Sequence, residues 1–179
     1  MRSFLGLPLP DNVVTALGHV QAMVPFGRPV PAENMHLTIA FLGDANIPTL
    51  ERLHADLDGA RLPAPQVRFT QLGTFAEMER GLAFAEIAGD DALTSLHAKA
   101  VRAARQAAID LPRRRFRPHV TLMRANRQPK GPERDRLAAA LGLPLVVPEC
   151  QPREMVLYRS ALTASGARYE PMASYPLGR

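Results

Sequence analysis

The sequence predicts a single domain made of two αβ lobes that face each other. Three observations predict it. The stretches HLTIAFL (36–42) and HVTLMRA (119–125) share one pattern: His, an apolar residue, Thr, an apolar residue. They lie roughly half of the 179-residue chain apart. The segments around each follow one order: strand, helix, His-x-Thr strand, helix, strand. An order that occurs twice points to an ancient duplication, with pseudo-repeats over roughly 1–75 and 80–179 inside one domain spanning 1–179. The period is too long and the copies too few for a solenoid.

In the first series, residues 3–7 read as a short strand. Asp11 then caps a helix whose Val13, Val14, Leu17, Val20 and Val24 fall on one face. Pro29 and Pro31 interrupt the chain before the strand 36–42, which ends at the turn Gly43-Asp44. Pro48 suits the first turn of a second helix with Leu50, Leu53 and Leu57 inward. Gly59 and Pro63 end that helix, and 67–72 reads as a strand.

In the second series, 82–87 is a strand. Asp90 or Asp91 starts a long Ala-rich helix through Leu93, Leu96, Ala100, Val101 and Ala104. Pro112 and an Arg run precede the strand 119–123. Pro132 opens a helix over 133–141. The chain closes with strands 155–162 and 168–175, a hairpin (153–177 overall) turning around Ser165-Gly166.

Composition bounds the function. Hydrophobic residues make up 46%, as in ordinary globular proteins. No stretch approaches the roughly 18 apolar residues of a membrane span. Pro8, Pro10 and Asp11 break the N-terminal apolar run early, against a signal peptide. Cys150 is the only cysteine, so no internal disulfide can form, which fits the cytoplasm. The net charge is +5, and the basic excess is nearly all Arg, with Lys only at Lys99 and Lys130. Such a surface favours polyanions such as RNA. A high-GC coding bias would produce the same excess, together with the abundant Ala and Pro.

Alternation along a strand puts His36, Thr38 and Ala40 on one face, opposite Leu37, Ile39 and Phe41. Likewise His119, Thr121 and Met123 oppose Val120 and Leu122. If the lobes meet across a cleft, the two His/Thr pairs converge there. Two imidazoles and two hydroxyls suit a phosphate ester: one neutral His takes a proton, a protonated one gives a proton, and Thr and Arg hold the oxygens. A single His-x-Thr strand is more often a hydrogen-bonded core His; two copies at equivalent places argue otherwise. Metal binding is the weaker reading, because two His fall short of three or four ligands and Thr is a poor ligand.

RPVPAENMHLTIAFLGD around the first motif and FRPHVTLMRA around the second resemble the 2H phosphoesterase superfamily. Within it they are most similar to the bacterial and archaeal RNA 2′,3′-cyclic phosphodiesterases, historically called 2′-5′ RNA ligases. LYRSALTASGARYEPMASYPL looks like that family's last hairpin. The resemblance spans nearly the whole chain. It implies a bilobal α+β fold with antiparallel sheets facing a central cleft. It implies opening of 2′,3′-cyclic phosphate RNA ends to 2′-phosphates, and in some members an ATP-independent 2′-5′ joining reaction. By resemblance His36 is the proton donor and His119 the proton acceptor, with Thr38, Thr121 and Arg124 on the phosphate. No cofactor or metal is expected. The expected partners are RNA ends or 2′,3′-cyclic nucleotides, with no membrane, and the chain is expected to act as a monomer.

Strict alternation points Arg124 away from the His119 face, whereas the resemblance brings it to the phosphate. A bulge or the strand's end after Met123 would reconcile them. Arg113, Arg114, Arg115 and Arg117 precede the second motif. They read as an RNA contact, Arg115 and Arg117 above all, or as a solvated loop. Phe41, Phe75, Phe84 and Tyr158 are candidates for stacking on a base, most of them otherwise core. Relatives often carry Trp in the strand where this chain has Phe84. His19, His54 and His97 read as surface residues without a role, and nothing suggests a base partner for Cys150. Tyr158 and Ser160 are candidates for shaping the cleft. Two other readings stay open: a non-catalytic RNA-end binder, and a 2H phosphodiesterase for another cyclic or 2′-5′ nucleotide.

Overall fold

A computed structural model describes residues 1–74, 82–112, 115–163 and 166–178. The strands are β1 (Arg2–Pro8), β2 (Arg28–Pro29), β3 (His36–Asp44), β4 (Phe69–Thr74), β5 (Leu82–Ile87), β6 (His119–Arg124), β7 (Glu154–Thr163) and β8 (Gly166–Pro176). The helices are α1 (Asp11–Ala22), α2 (Ile47–Asp58), α3 (Asp91–Gln106) and α4 (Pro132–Leu141), with a 3-10 turn over Ala32–Asn34. None of the helices described is long and apolar enough to cross a membrane.

Local chemistry sets most boundaries. Asn46 and Asp90 cap α2 and α3 by accepting from the backbone N–H of Thr49 and Leu93. Asp11 does not cap α1. Pro10 holds that position without a side-chain bond, and Asp11 sits in the first turn, where its charge suits the helix dipole. The strand expected at 67–72 begins at Phe69 instead, because Val67 bridges to Cys150 outside the main ladder. The closing hairpin falls within the expected 153–177, with each strand two or three residues longer than the expected 155–162 and 168–175, and Ser165 lies outside the described residues.

The strands form one antiparallel path, β4-β5-β6-β3-β1-β7-β8, with β2 added beside β3 on β6. The two expected lobes are the two halves of this path. They join at the β3–β6 seam through one residue pair, Leu37 and Val120. Exchanging β3 with β6, β1 with β5 and β7 with β4 returns the same order over its first six strands. Each half therefore takes an outer strand from the other half of the sequence: β4 pairs with β5, and β7 with β1.

The helices are exchanged in the same sense. α1 packs against β6 and α3 against β3. Leu5, Leu7, Leu37, Ile39, Val120 and Leu122 from the strands bury with Leu17, Leu53, Leu93 and Leu96 from the helices in one core. Burying such side chains, each worth about 1.5–3 kcal/mol, holds the helices under the sheet. The opposite face of the seam carries the polar residues of both motifs.

Candidate active site

The two motif strands share one burial sequence. In each, the His and Thr are half-buried, the residues between and after them are buried, a second consecutive residue is buried, and the next is exposed. Two buried residues in a row break strict alternation, and the register explains why. Gly6 pairs with Thr38 but Leu5 pairs with Ala40, so Ile39 is an extra residue. Phe84 pairs with Thr121 but Ala83 pairs with Met123, so Leu122 is an extra residue. Both strands thus bulge at the third residue after the His. The bulges turn Ala40 and Met123 inward, correcting the faces expected for them. They bring Phe41, 63% exposed, and Arg124 out to the His face.

Each bulge is held from below by a side chain of the helix beneath it. Gln21 of α1 donates from Nε2 to the carbonyl of Leu122 at 2.7 Å. His97 of α3 donates from Nδ1 to the carbonyl of Ile39 at 2.9 Å, and its ring stacks on Phe116. His97, read from sequence as a surface residue, is half-buried and structural; His19 and His54 are exposed. Gln21 carried no signal in the sequence, because its target lies on a distant strand.

At the seam the motifs run antiparallel. Continuing the register one residue either way from Leu37–Val120 sets His36 opposite Thr121 and Thr38 opposite His119. The four side chains form a patch with a local two-fold arrangement. Both rings are anchored alike. His36 Nδ1 donates to the Asn34 carbonyl at 2.8 Å, and His119 Nδ1 donates to the Arg117 carbonyl at 2.7 Å. A carbonyl only accepts, so in the neutral rings the proton sits on Nδ1 and Nε2 carries the lone pair. Nε2 of His36 lies 3.0 Å from Thr38 Oγ1. Asn34 also donates from Nδ2 to the Ala167 carbonyl at 2.8 Å, which ties the anchor of His36 to β8.

Burial is the largest cause lowering both His pKa values. For His36 it outweighs the raising effect of the Asn34 bond, Arg124 and His119 add to the lowering, and the value falls from 6.5 to about 4. For His119, burial and the charges of Arg117 and Arg124 prevail over the Arg117 carbonyl bond and Glu86. Arg124 thus acts on both rings. Arg117 pairs with Glu86 at 3.9 Å and lies over the Phe84 ring. Arg115 is exposed; Arg113, Arg114 and Phe75 lie outside the described residues.

The aromatic candidates separate. Phe84 is buried and packs against His119, with ring centroids 5.0 Å apart. Tyr158 stacks on Phe4, which stacks on His36 at 4.6 Å, while Tyr169 meets both His36 and Phe4 edge-on. A cavity of about 260 Å³ opens beside His36, lined among others by Leu9, Asp11, Glu33, Tyr158 and Tyr169. Phe4 and Tyr169 were not singled out in the sequence. Their only signal was alternation on strands that reading had already placed. Cys150 is buried, which raises its thiol pKa. Among the described residues no three His, Cys, Asp or Glu side chains gather as metal ligands.

The model of the 2′-5′ RNA ligase superfamily matches residues 9–163. An RNA 2′,3′-cyclic phosphodiesterase of Geobacillus stearothermophilus is 31% identical over 186 aligned positions, 97% of this chain and 56% of that protein. The chain therefore spans about half the length of that curated relative. A phosphoesterase crystal structure matches with a TM-score of 0.83 at 24% identity, covering 99% of this chain and 98% of the other. E. coli LigT complexed with 3′-AMP matches at 0.80 and 22%, with the same coverage. TT0787 of Thermus thermophilus matches at 0.79 and 26%, again with that coverage. At under a quarter identity the first two show the fold alone, and that fold is the α+β arrangement expected of the sequence.

Proposed function

Because this chain belongs to the 2′-5′ RNA ligase superfamily, the 2H phosphoesterases, we propose that it hydrolyses RNA 2′,3′-cyclic phosphate ends to 2′-phosphates. The observation that carries this reading is the seam itself. Two identically bulged His-x-Thr strands run side by side, with Arg124 acting on both rings. The name of the Geobacillus relative supports the same substrate class.

The cyclic phosphate sits over the seam, between the two Nε2 atoms. His119 takes a proton from water as the water oxygen bonds to phosphorus. The bond from phosphorus to the 3′ oxygen breaks, and His36 delivers a proton to that oxygen. A 2′-phosphate and a 3′-hydroxyl remain. Thr38, Thr121 and Arg124 hold the non-bridging oxygens as charge gathers on them. Thr38 exchanges its contact with His36 for the phosphate. The anion raises both imidazole pKa values, so His36, neutral in the free protein, is protonated in the complex. No metal takes part. With a 5′-hydroxyl in place of water, the same groups acting in the same direction would bond that oxygen to phosphorus, break the bond to the 3′ oxygen and leave a 2′-5′ bond without ATP.

Arg115 and Arg117 lie next to His119 in sequence and are read as contacts for the RNA backbone. The palindromic strand order supports descent from a duplicated αβ unit, with pseudo-repeats over about 1–75 and 80–179. A cytoplasmic monomer fits the lone, buried Cys150. The test is turnover of a nucleoside 2′,3′-cyclic phosphate in EDTA, with phosphorus NMR of the product. A 2′-phosphate is expected. Binding without product would leave a non-catalytic RNA-end binder, and loss of activity on chelation would refute metal independence.

A further inference from the structure

On β2, Arg28 pairs directly with Arg124 of β6, and both residues are exposed. Directly opposed residues of antiparallel strands project from the same face, and like charges placed so repel. Since Arg124 acts on both His rings, Arg28 stands on the site face as well, in the lane that β3 occupies beside β6 and further along that strand. Neighbouring arginines are neutralised: Arg117 by Glu86, and Arg127 by Glu133 while it lies over Phe26. Among the described residues no carboxylate pairs with Arg28 or Arg124.

The opposition is built into the backbone. Gly27 has φ +89°, and a Cβ there would stand 3.0 Å from the Arg124 carbonyl oxygen. Only glycine allows this close approach at that conformation. Beyond Arg28, Val30 donates its N–H to the Leu122 carbonyl at 2.8 Å. Gln21 Nε2 bonds both the Val30 and the Leu122 carbonyls. Two guanidinium stems are therefore fixed side by side, where a bound anion would relieve their repulsion with charge-assisted hydrogen bonds.

We propose that Arg28 and Arg124 form a second phosphate subsite for the phosphodiester on the 5′ side of the terminal nucleotide, selecting oligonucleotide ends over mononucleotides. This rests on the reading of the seam as the cyclic-phosphate site. Arg124 faces both phosphates, and Arg28 serves only the outer one, which a nucleoside 2′,3′-cyclic phosphate lacks.

The experiment compares a cyclic-phosphate-ended trinucleotide with a nucleoside 2′,3′-cyclic phosphate. Arg28→Ala should lower kcat/KM for the trinucleotide about ten-fold, through KM, as loss of one charge-assisted contact implies. Nucleoside turnover should stay unchanged. Arg28→Lys should recover part of the loss, and Arg136→Ala, removing an exposed charge on α4, should affect neither substrate. Equal losses on both substrates, or none on either, would overturn the proposal. Binding of a 3′-phosphorylated oligoribonucleotide across salt concentrations tests it without turnover. Arg28→Ala should flatten the log–log salt slope by about 0.7, the value for one phosphate contact on a single strand. An unchanged slope would overturn the subsite, while failure of the wild type to turn over the nucleoside would count against the seam reading alone.

Discussion

The surroundings of His36 and His119 differ although their backbones match. Both rings sit two residues before a Thr and three before a bulge, and both give Nδ1–H to a carbonyl two residues upstream. Around His36 the wall is aromatic: Phe4 stacks on the ring and Tyr169 abuts it. Around His119 it is charged, with Arg117, Arg124 and Glu86 all acting on the ring. At equivalent register positions the first half has Gly6, whose missing Cβ would stand 3.1 Å from the His36 ring, and the second has Phe84 against His119. Arg124 answers to Phe41. One backbone device thus carries two environments. An apolar wall favours the neutral imidazole, while a charged one tunes the proton's affinity and draws an anion. The donor role proposed for His36 therefore depends on the bound anion, which offsets the apolar wall and favours its imidazolium.

The largest effect that could break this comparison comes from the rings themselves. His36→Ala and His119→Ala should each cost about 10²–10⁴-fold in kcat on a cyclic phosphate. The two should part company on an aryl phosphodiester, whose leaving group needs no proton. There His36→Ala should regain most activity and His119→Ala should not, and the reverse result would exchange the roles.

Next in size is the pair at the bulge exits. Arg124→Ala should reduce kcat/KM about ten- to hundred-fold, as expected for losing a charge-assisted contact to phosphate. Phe41→Ala should cost less and act on KM. Equal effects would mean that the two halves contact the substrate alike.

The free-protein pKa values predict a rate profile. With both imidazoles titrating below 6.5, kcat/KM should peak on the acid side of that value. The kcat optimum should lie higher, because bound phosphate raises both pKa values. A common optimum would show that the anion does not couple to the rings.

Stability carries the same signature. His36 in the unfolded chain titrates near 6.5 but folded near 4, so below 6.5 the unfolded chain binds the extra proton. Its contribution, at most about 3 kcal/mol, is complete above pH 6.5 and lost as pH falls toward 4. His119 works in the same direction. Urea midpoints should drop across that window, and His36→Gln should flatten the drop more than His119→Gln.

The smallest effect concerns the supports. Gln21→Leu and His97→Phe each leave a buried bulge carbonyl short of a donor. Each should cost about 1–3 kcal/mol in urea unfolding. Through Leu122 and Val30, Gln21→Leu should also weaken the grip on Arg124 and raise KM. His97→Phe should spare Arg124.

Much of this was legible beforehand because strand alternation and helix spacing are local. The elements, the inward leucines of α2, the antiparallel hairpin and the shared face of His36 with Thr38 all follow from neighbours in the chain. The fate of Ala40, Phe41 and Met123 did not, since one extra residue reverses a strand's faces and the partner strand decides where it falls. The bulge imagined for Arg124 exists, but its twin in β3 was unforeseen. His97 looked idle because its acceptor, the Ile39 carbonyl, belongs to another element.

By itself the sequence determined that two His/Thr pairs would lie on two strands, because periodicity along one chain fixes which side chains share a face. Only the tertiary structure decided that those strands would adjoin at Leu37–Val120, that both would bulge, and that Arg28 would stand against Arg124. Register between strands is set by hydrogen bonds and packing among residues distant in the chain, and no local pattern encodes which carbonyl will meet which donor.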